Sequence, residues 1–377
     1  MKRTVIVIGS LAESLINFRG ALLADMVRVG CRVVACAPNA SVETKSGLAR
    51  IGVEFRVIPF DRTGLNLVKD VQACIALVRL MLEVRPDIVF GYTIKPVVYG
   101  SIVARLTGTR KIFSMITGLG YAFSRKGVKQ KIVSLVAQAL YRFSLRCNAK
   151  VFFQNPDDQA DFERMNLLKN SDQAVQINGS GIDIKSFVPA PFPERISFLL
   201  IARLLKDKGI TEYVEAARAV KLMYPQVSFQ LAGWIDENPT AISQGQLNSW
   251  INDGVIEFIG RLSDVRSAIS ACSVYVLPSY REGTPRTVLE AMAMGRPIIT
   301  TDAPGCRETV RNGLNGFLVP TRDSKSLAQA MLKFIESKAL IPQMGARSRE
   351  LAVQKYDVDK VNAVLLSGMG LSHEALA

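Results

Sequence analysis

Histidine is almost absent from this chain of 377 residues, and its one histidine, His373, lies close to the C-terminus. Histidine is the commonest metal ligand, so the sequence argues against a zinc site. The six cysteines are scattered and form no CxxC pair. This usage is typical of reduced, mostly buried thiols in a cytosolic protein.

Long apolar runs are also missing, because none reaches the roughly 18 to 20 residues that cross a bilayer. The apolar run at residues 5–8 is too short for a signal peptide and continues into Gly9 and Ser10, so it predicts a first parallel strand. A GxGxxG fingerprint is absent, which argues against a nicotinamide-dependent oxidoreductase.

Positive charge is unevenly distributed along the chain. The formal net charge is +14, and residues 1–190 carry 26 Lys and Arg against 14 Asp and Glu, a net of +12. Between residues 125 and 150 there is no acid, and the seven cations are Arg125, Lys126, Lys129, Lys131, Arg142, Arg146 and Lys150. Apolar residues between them at helical spacing predict a helix on an anionic membrane surface. The alternative is a core-packed helix with a solvated basic face. Nucleic acid is not expected as a partner, because no recognition motif accompanies the charge.

Short apolar runs alternate with helical patterns along the chain, as in βαβ units. The first series of predicted strands covers residues 4–8, 32–36, 54–58, 88–91, 111–114 and 150–154. Pro189, Pro191 and Pro193 then predict an interdomain linker at residues 187–193. A second series covers residues 196–201, 228–232, 256–259, 274–277, 298–301 and 316–319. The sequence therefore predicts an α/β protein with two doubly wound parallel sheets.

Two glutamates, Glu282 and Glu290, lie eight positions apart across a predicted loop-to-helix junction. Gly283 and Pro285 place Glu282 on the turn, and Glu290 follows about two helical turns later. Both carboxylates can then face one cleft above the carboxyl end of the preceding strand, where open α/β sheets bind ligands. The backbone amides at the helix start, which would face a ligand phosphate, belong to Gly283, Thr284 and Arg286.

This stretch resembles the Glu-(seven residues)-Glu signature of retaining glycosyltransferases of family 4, which have the two-domain GT-B fold. The resemblance implies two Rossmann-like domains facing across a cleft, with a C-terminal helix that packs back on the N-terminal domain. It implies that Glu282 orients the donor sugar and that Glu290 binds the ribose of a UDP-sugar. The donor would also contact the intervening loop, at Gly283, Thr284 and Pro285.

Two further stretches of the second half suit a nucleotide diphosphate. Arg203 and Lys208 are cations between a predicted strand and a helix start. They look like the family's Gly-Arg-Leu…Lys-Gly loop, with Ala202 in place of the usual Gly. In that loop of the family, the Arg and the Lys neutralise the leaving diphosphate. The resemblance also implies that backbone groups near Gly260 and Arg261 contact the uracil edge.

The N-terminal half carries the predicted acceptor contacts. Residues 9–19 look like the family's flexible glycine loop, so Gly9 would approach the donor, while Asn17 and Arg19 contact the acceptor or diphosphate. Arg19 as an ordinary helix residue is the alternative. Lys95 lies near the usual position of a family histidine, and we expect it to contact the acceptor or a phosphate. Tyr121 either stacks on sugar or lipid or packs in the core.

One short motif formally matches a metal site. Asp357 and Asp359 form the DxD pattern of metal-dependent transferases, but they lie in a late segment that enters the C-terminal helix. We interpret them as helix-capping residues. No histidine, cysteine and carboxylate cluster has ligand spacing, so we expect no metal and no other cofactor.

The sequence therefore predicts a retaining glycosyltransferase that moves a sugar, expected to be an N-acetylhexosamine, from a UDP-sugar to a polyprenyl-diphosphate-linked saccharide for a surface polysaccharide or glycan. Residues 233–239, 280–283 and 302–306 resemble those of family members that add N-acetylgalactosamine to bacillosamine on undecaprenyl diphosphate. The alternatives are a nonhydrolysing UDP-sugar 2-epimerase and a noncatalytic nucleotide- or lipid-binding GT-B protein.

The expected organisation has three parts. Residues 1–186 would form an acceptor-binding, membrane-facing domain, and residues 194–355 would form the UDP-sugar-binding domain. Residues 356–377 would return as a helix to the first domain. We expect a cytoplasmic protein, peripheral on the inner face of the plasma membrane.

Overall fold

The computed structural model describes residues 2–60, 67–118, 128–236, 238 and 240–371, apart from the side chains of Leu67 and residues 128–131. The chain divides into two compact units, Met1–Ser180 with Asp359–Ala377, and Gly181–Val358. The N-terminal part of the first unit therefore ends at Ser180, a few residues before the expected boundary at residue 186.

The first unit is built on a parallel sheet whose strands in the described chain are β1 (Thr4–Ile8), β2 (Arg32–Ala37), β3 (Glu54–Val57), β4 (Ile88–Tyr92), β5 (Lys111–Ile116), β6 (Lys150–Phe153) and β7 (Ala174–Gln176). They pair in the order β3-β2-β1-β4-β5-β6-β7. The helices are α1 (Ala12–Asn17), α2 (Gly20–Arg28), α3 (Val42–Arg50), α4 (Leu67–Val84), α5 (Ile94–Leu106), α6 (Val128–Leu145) and α7 (Pro156–Arg164). The two central strands, β1 and β4, are almost entirely buried, because parallel strands are covered on both faces.

The second unit repeats this plan. Its strands in the described chain are β8 (Ser197–Ile201), β9 (Ser228–Ala232), β10 (Glu257–Gly260), β11 (Val274–Leu277), β12 (Ile298–Thr301) and β13 (Gly316–Val319), which pair in the order β10-β9-β8-β11-β12-β13. Its helices are α8 (Ile210–Met223), α9 (Gln244–Asn252), α10 (Arg266–Ser270), α11 (Arg286–Ala293), α12 (Ser324–Glu336) and α13 (Leu340–Lys355). Side-chain oxygens cap α9 and α12 at Ser243 and Asp323.

The predicted fold class is confirmed, since both sheets are parallel and both follow a doubly wound order. The prediction missed β7, a strand of three residues at the sheet edge. The final helix, α14 (Val358–Gly368), packs on the first unit as expected: Val361 and Leu365 join its core, and Asn362 Nδ2 donates to Asp25 Oδ2 at 2.7 Å.

The proline-rich segment at residues 187–193 is part of the second unit rather than a linker between units. Phe187 and Phe192 pack against the core of that unit. The fully buried Arg296 donates from Nη2 to Pro191 O at 3.0 Å, and its guanidinium lies 4.5 Å from the Phe192 ring centroid. The aromatic residues among the prolines therefore anchor the segment, since their apolar area is stabilised by burial.

Candidate active site

The strand order of the second sheet reverses between β8 and β11, and open α/β sheets bind ligands beside the carboxyl ends of strands at such a point. The chain after β8 carries Arg203 and Lys208, and the chain after β11 carries Glu282. Lys208 Nζ lies 2.5 Å from Glu282 Oε1, and the same oxygen accepts a hydrogen bond from Ser279 Oγ at 2.8 Å. The structure thus brings together two of the three predicted catalytic side chains.

Backbone packing fixes the loops that carry this pair. Gly209 follows Lys208 with φ 71°, and a Cβ there would lie 2.2 Å from Pro278 O. Glu282 N donates to Pro304 O at 2.9 Å. A Cβ on Gly305, which has φ 79°, would lie 2.2 Å from Glu282 O. Glycine is required at both positions by conformation and by space, so backbone contacts hold the two loops.

Arg203 is held by a carboxylate on a third loop. Its Nη1 lies 2.9 Å from Oδ2 of Asp236, which follows β9, and its side chain is one-third exposed. The arginine is therefore fixed by its partner while part of the guanidinium still faces solvent. Such a cation can accept an anionic ligand without first being ordered.

Glu290 lies on α11, after the loop formed by Gly283, Thr284 and Pro285. The Glu290 side chain is buried and accepts a hydrogen bond from Arg286 Nε at 2.9 Å. Burial raises the pKa of Glu290 above its ordinary value, and the neighbouring Arg286 opposes that rise. The ribose contact stays a prediction.

The predicted uracil-binding residues, Gly260 and Arg261, lie at the carboxyl end of β10, next to the end of β9. Gly260, at the end of β10, has φ 74°, and its carbonyl accepts from Gly233 N at 2.8 Å. The Arg261 guanidinium lies 4.6 Å from the Trp234 ring centroid. This cation–π pair places a flat, partly exposed indole beside the predicted base site.

Sequence reasoning missed a network behind Glu282. Tyr280 Oη donates to Glu212 Oε1 at 2.5 Å, and the Arg322 guanidinium lies 4.6 Å from the Tyr280 ring centroid. Tyr280 N also donates to Asp207 O at 2.9 Å, which joins the Glu282 loop to the Lys208 loop. Burial raises the pKa of Tyr280, so the phenol remains a hydrogen-bond donor. No local pattern could reveal these partners, because they come from separate loops.

In the first unit the strand order reverses between β1 and β4. A Cβ on Gly9, after β1, would lie 2.4 Å from Oη of Tyr92, the last residue of β4. Tyr92 Oη and Ser14 Oγ are 2.7 Å apart, and the buried Arg19 lies 5.2 Å from the Tyr92 ring centroid. Thr93 has a positive φ of 69°, and strain of this kind clusters at functional sites.

The remaining predicted acceptor residues have different surroundings. Asn17 is exposed at the end of α1. Lys95 Nζ lies 2.7 Å from Oδ1 of the buried Asp70, which also accepts from Tyr99 Oη at 3.0 Å. To bind the acceptor, Lys95 would have to give up part of its contact with Asp70. Tyr121 lies outside the described residues, so its role stays a prediction.

In the described residues, no group of three or more histidine, cysteine and acidic side chains is arranged to hold a metal ion. Asp357 and Asp359 lie at the start of α14, where Val358 N donates to Ile182 O at 3.0 Å. None of the helices in the described chain is long and apolar enough to span a membrane.

Family models for glycosyltransferases match both units. The model described as "Glycosyl transferases group 1" matches residues 195–337, and the "Glycosyl transferase 4-like domain" matches residues 18–179. The chain therefore belongs to the glycosyltransferases and is a transferase with the GT-B fold.

Two relatives and one solved structure illustrate the similarity. The chain is 29% identical over 324 residues to the N,N'-diacetylbacillosaminyl-diphospho-undecaprenol alpha-1,3-N-acetylgalactosaminyltransferase of Campylobacter jejuni, covering 82% of this chain and 84% of the relative. It is 25% identical to the Escherichia coli UDP-Gal:alpha-D-GlcNAc-diphosphoundecaprenol alpha-1,3-galactosyltransferase, covering 73% of each. The structure of Anabaena HepE in complex with UDP and glucose superposes with a TM-score of 0.75 at 18% identity, covering 96% of this chain and 98% of HepE.

Proposed function

We propose that this chain is a retaining glycosyltransferase that moves an N-acetylhexosamine from a UDP-sugar to a polyprenyl-diphosphate-linked saccharide in the synthesis of a surface polysaccharide or glycan. The observation that carries the proposal is the contact between Lys208 and Glu282 at the β8–β11 switch point. The names of the Campylobacter and Escherichia relatives, which specify diphospho-undecaprenol acceptors, support the choice of acceptor.

The proposed mechanism separates the roles of the cations and the carboxylates. As the bond from the sugar C1 to the diphosphate oxygen breaks, negative charge builds on the diphosphate, and Arg203 and Lys208 stabilise it. Glu282 orients the donor sugar, since part of its bond with Lys208 can be exchanged for a sugar hydroxyl. Glu290 binds the ribose hydroxyls. These two cations supply the charge that a divalent ion supplies in other transferases, so no metal or cofactor is required.

The acceptor hydroxyl attacks the face from which the diphosphate departs. A new bond forms between the acceptor oxygen and C1, and the departing phosphate takes the hydroxyl proton. An oxocarbenium-like species forms between the two steps, so neither Glu282 nor Glu290 acts as a nucleophile. The α-configuration of the UDP-sugar is therefore retained.

The first unit supplies the acceptor site and the membrane contact in this proposal. Asn17, Arg19, Lys95 and Tyr121 are its acceptor residues. The lipid of the acceptor stays in the bilayer, so this half must approach an anionic surface, and it carries a net charge of +12 over residues 1–190. We therefore place the enzyme on the inner face of the plasma membrane.

Radiolabelled UDP-N-acetylgalactosamine, UDP-N-acetylglucosamine and UDP-galactose, each with a polyprenyl-diphosphate-linked saccharide and with EDTA present, test the proposal. We expect transfer from an N-acetylhexosamine donor, an α-linkage by NMR, and activity that survives EDTA. A β-linkage would overturn retention, and preference for UDP-galactose would overturn the donor. Epimerised UDP-sugar formed without acceptor would favour the 2-epimerase, and UDP binding without any turnover would favour a noncatalytic protein.

A further inference from the structure

A basic pocket lies at the opposite edge of the first sheet from Lys95, one of the predicted acceptor residues. Residues just before β5 and β6 line this surface pocket, whose volume is about 390 Å³. Because the strands are parallel, this is the amino edge of the sheet, whereas Lys95 follows β4 at the carboxyl edge. The 13 residues of α5 connect the two edges and span about 20 Å at 1.5 Å per residue.

Among the described residues, the charged lining of this pocket is entirely cationic. It has no carboxylate from that part of the chain, and the charged side chains there are Arg105, Arg110, Arg146 and Lys169. All four are exposed, and none of their side chains makes a hydrogen bond or ion pair with another described residue. Two nearby cations outside the pocket do have partners: Arg142 donates to Met165 O and Lys150 donates to Asp172 O. The four pocket cations therefore remain available to an external anion.

An apolar stripe on α6 leads into the same pocket. Tyr141 and Leu145 face the core, whereas the exposed apolar side chains of this helix are Ile132, Leu135, Val136 and Phe143. Phe143 is 63% exposed and also lines the pocket. Leu106, at the end of α5 beside Arg105, is 78% exposed. Cationic and apolar groups therefore form one continuous surface.

We propose that this surface docks on a bilayer: the pocket binds the phosphate of an anionic phospholipid, and the α6 stripe enters the boundary between headgroups and acyl chains. Charge complementarity and the adjoining apolar side chains favour this occupant, because interfacial binding depends on both contributions. The diphosphate of the acceptor is disfavoured, since Lys95, a predicted acceptor residue, lies at the other edge of the sheet. The inference deepens the proposed membrane association but does not depend on which sugar is transferred.

Sedimentation of the full chain with vesicles tests the docking surface. Vesicles of phosphatidylcholine with about one-third phosphatidylglycerol are compared with pure phosphatidylcholine. The double variant Arg105→Glu/Lys169→Glu should bind the anionic vesicles on the order of tenfold or more weakly, because each cation near anionic lipid contributes roughly fivefold. Lys45→Glu/Lys338→Glu is the matched control, since it makes the same charge change at exposed lysines that do not line the pocket, and we expect at most a small loss.

A second variant and a soluble anion complete the test. Leu135→Asn should also weaken vesicle binding, while binding of inorganic phosphate, followed by calorimetry, should be unchanged. Equal losses in the pocket and control pairs would overturn the proposal in favour of diffuse attraction. Phosphate binding that needs Arg105 and Lys169, with unchanged vesicle binding, would show a small-anion site instead. A concentration-dependent dimer that Leu135→Asn abolishes would identify a second copy of the chain as the occupant.

Discussion

Lys208 Nζ lies 2.5 Å from Glu282 Oε1, and each side chain comes from the loop after a different strand at the switch point of the second sheet. Both side chains are mostly buried, at 16% and 15% exposure. The pair is therefore ordered without substrate, and a donor diphosphate and sugar would meet groups already in place. Preorganisation of this kind is the chief source of electrostatic catalysis.

The two cations should contribute to turnover more than to stability. Lys208→Ala and Arg203→Ala should each lower kcat by roughly 10²-fold or more, because they remove charge that stabilises the leaving diphosphate. Lys206→Ala is the matched control, since Lys206 is exposed on the same short helical turn. Steady-state rates with UDP-sugar, after circular dichroism has shown native folding, check this. Wild-type kcat in both variants would remove them from the mechanism.

Substitution of Glu282 should affect mainly turnover, whereas substitution of Glu290 should affect mainly nucleotide binding. Glu282→Gln should impair kcat more than UDP affinity, because its proposed partner is the transferred sugar. Glu290→Gln should weaken UDP binding by about 1–3 kcal/mol, the cost of losing a hydrogen bond to a charged group. Calorimetry with UDP on both variants measures the split. If Glu290→Gln binds UDP as tightly as wild type, the ribose assignment is wrong.

The buried carboxyl of Glu290 should make stability depend on pH. Burial raises its pKa above 4.5, and Arg286 only partly opposes this, so the folded state holds the proton more tightly than the unfolded state. The stabilisation of the folded state that comes from this tighter proton binding is present below pH 4.5. It is lost as the pH rises through the higher pKa of Glu290 in the folded state. Thermal melts from pH 4 to 7 should therefore show wild type losing stability relative to Glu290→Gln. Glu336→Gln, the same substitution at an exposed position on α12, is the matched control.

Local patterns were sufficient to predict the sheets but not the side-chain partners. Continuous apolar runs such as residues 5–8 and 274–277 identify buried parallel strands. The three-residue edge strand β7 has no such run, because its side chains are only partly buried. The proline segment was misassigned because proline marks an irregular backbone but does not indicate whether Phe187 and Phe192 pack on a neighbour.

Sequence patterns likewise predicted some residues of the candidate site but not their contacts. Motif spacing pointed to Lys208 and Glu282, which the structure brings into contact. It did not reveal that Lys95 is paired with Asp70, since that contact joins α4 to α5. Such contacts depend on how helices and loops pack, and neither helical nor strand periodicity carries that information.

The backbone contact at Gly209 gives the last prediction. Gly209→Ala should lower both stability and kcat, because an L-residue is strained at φ 71° and the new Cβ would lie 2.2 Å from Pro278 O. The Lys208 and Glu282 loops would have to separate. Gly254→Ala is the matched control: it has φ 65°, but a Cβ there meets nothing within 4 Å. It should show the backbone strain alone, about 1–2 kcal/mol, with normal kcat. Urea unfolding and steady-state kinetics on both variants measure the difference. Equal losses of stability, with kcat normal in both, would show that the loop contact does not position the catalytic pair.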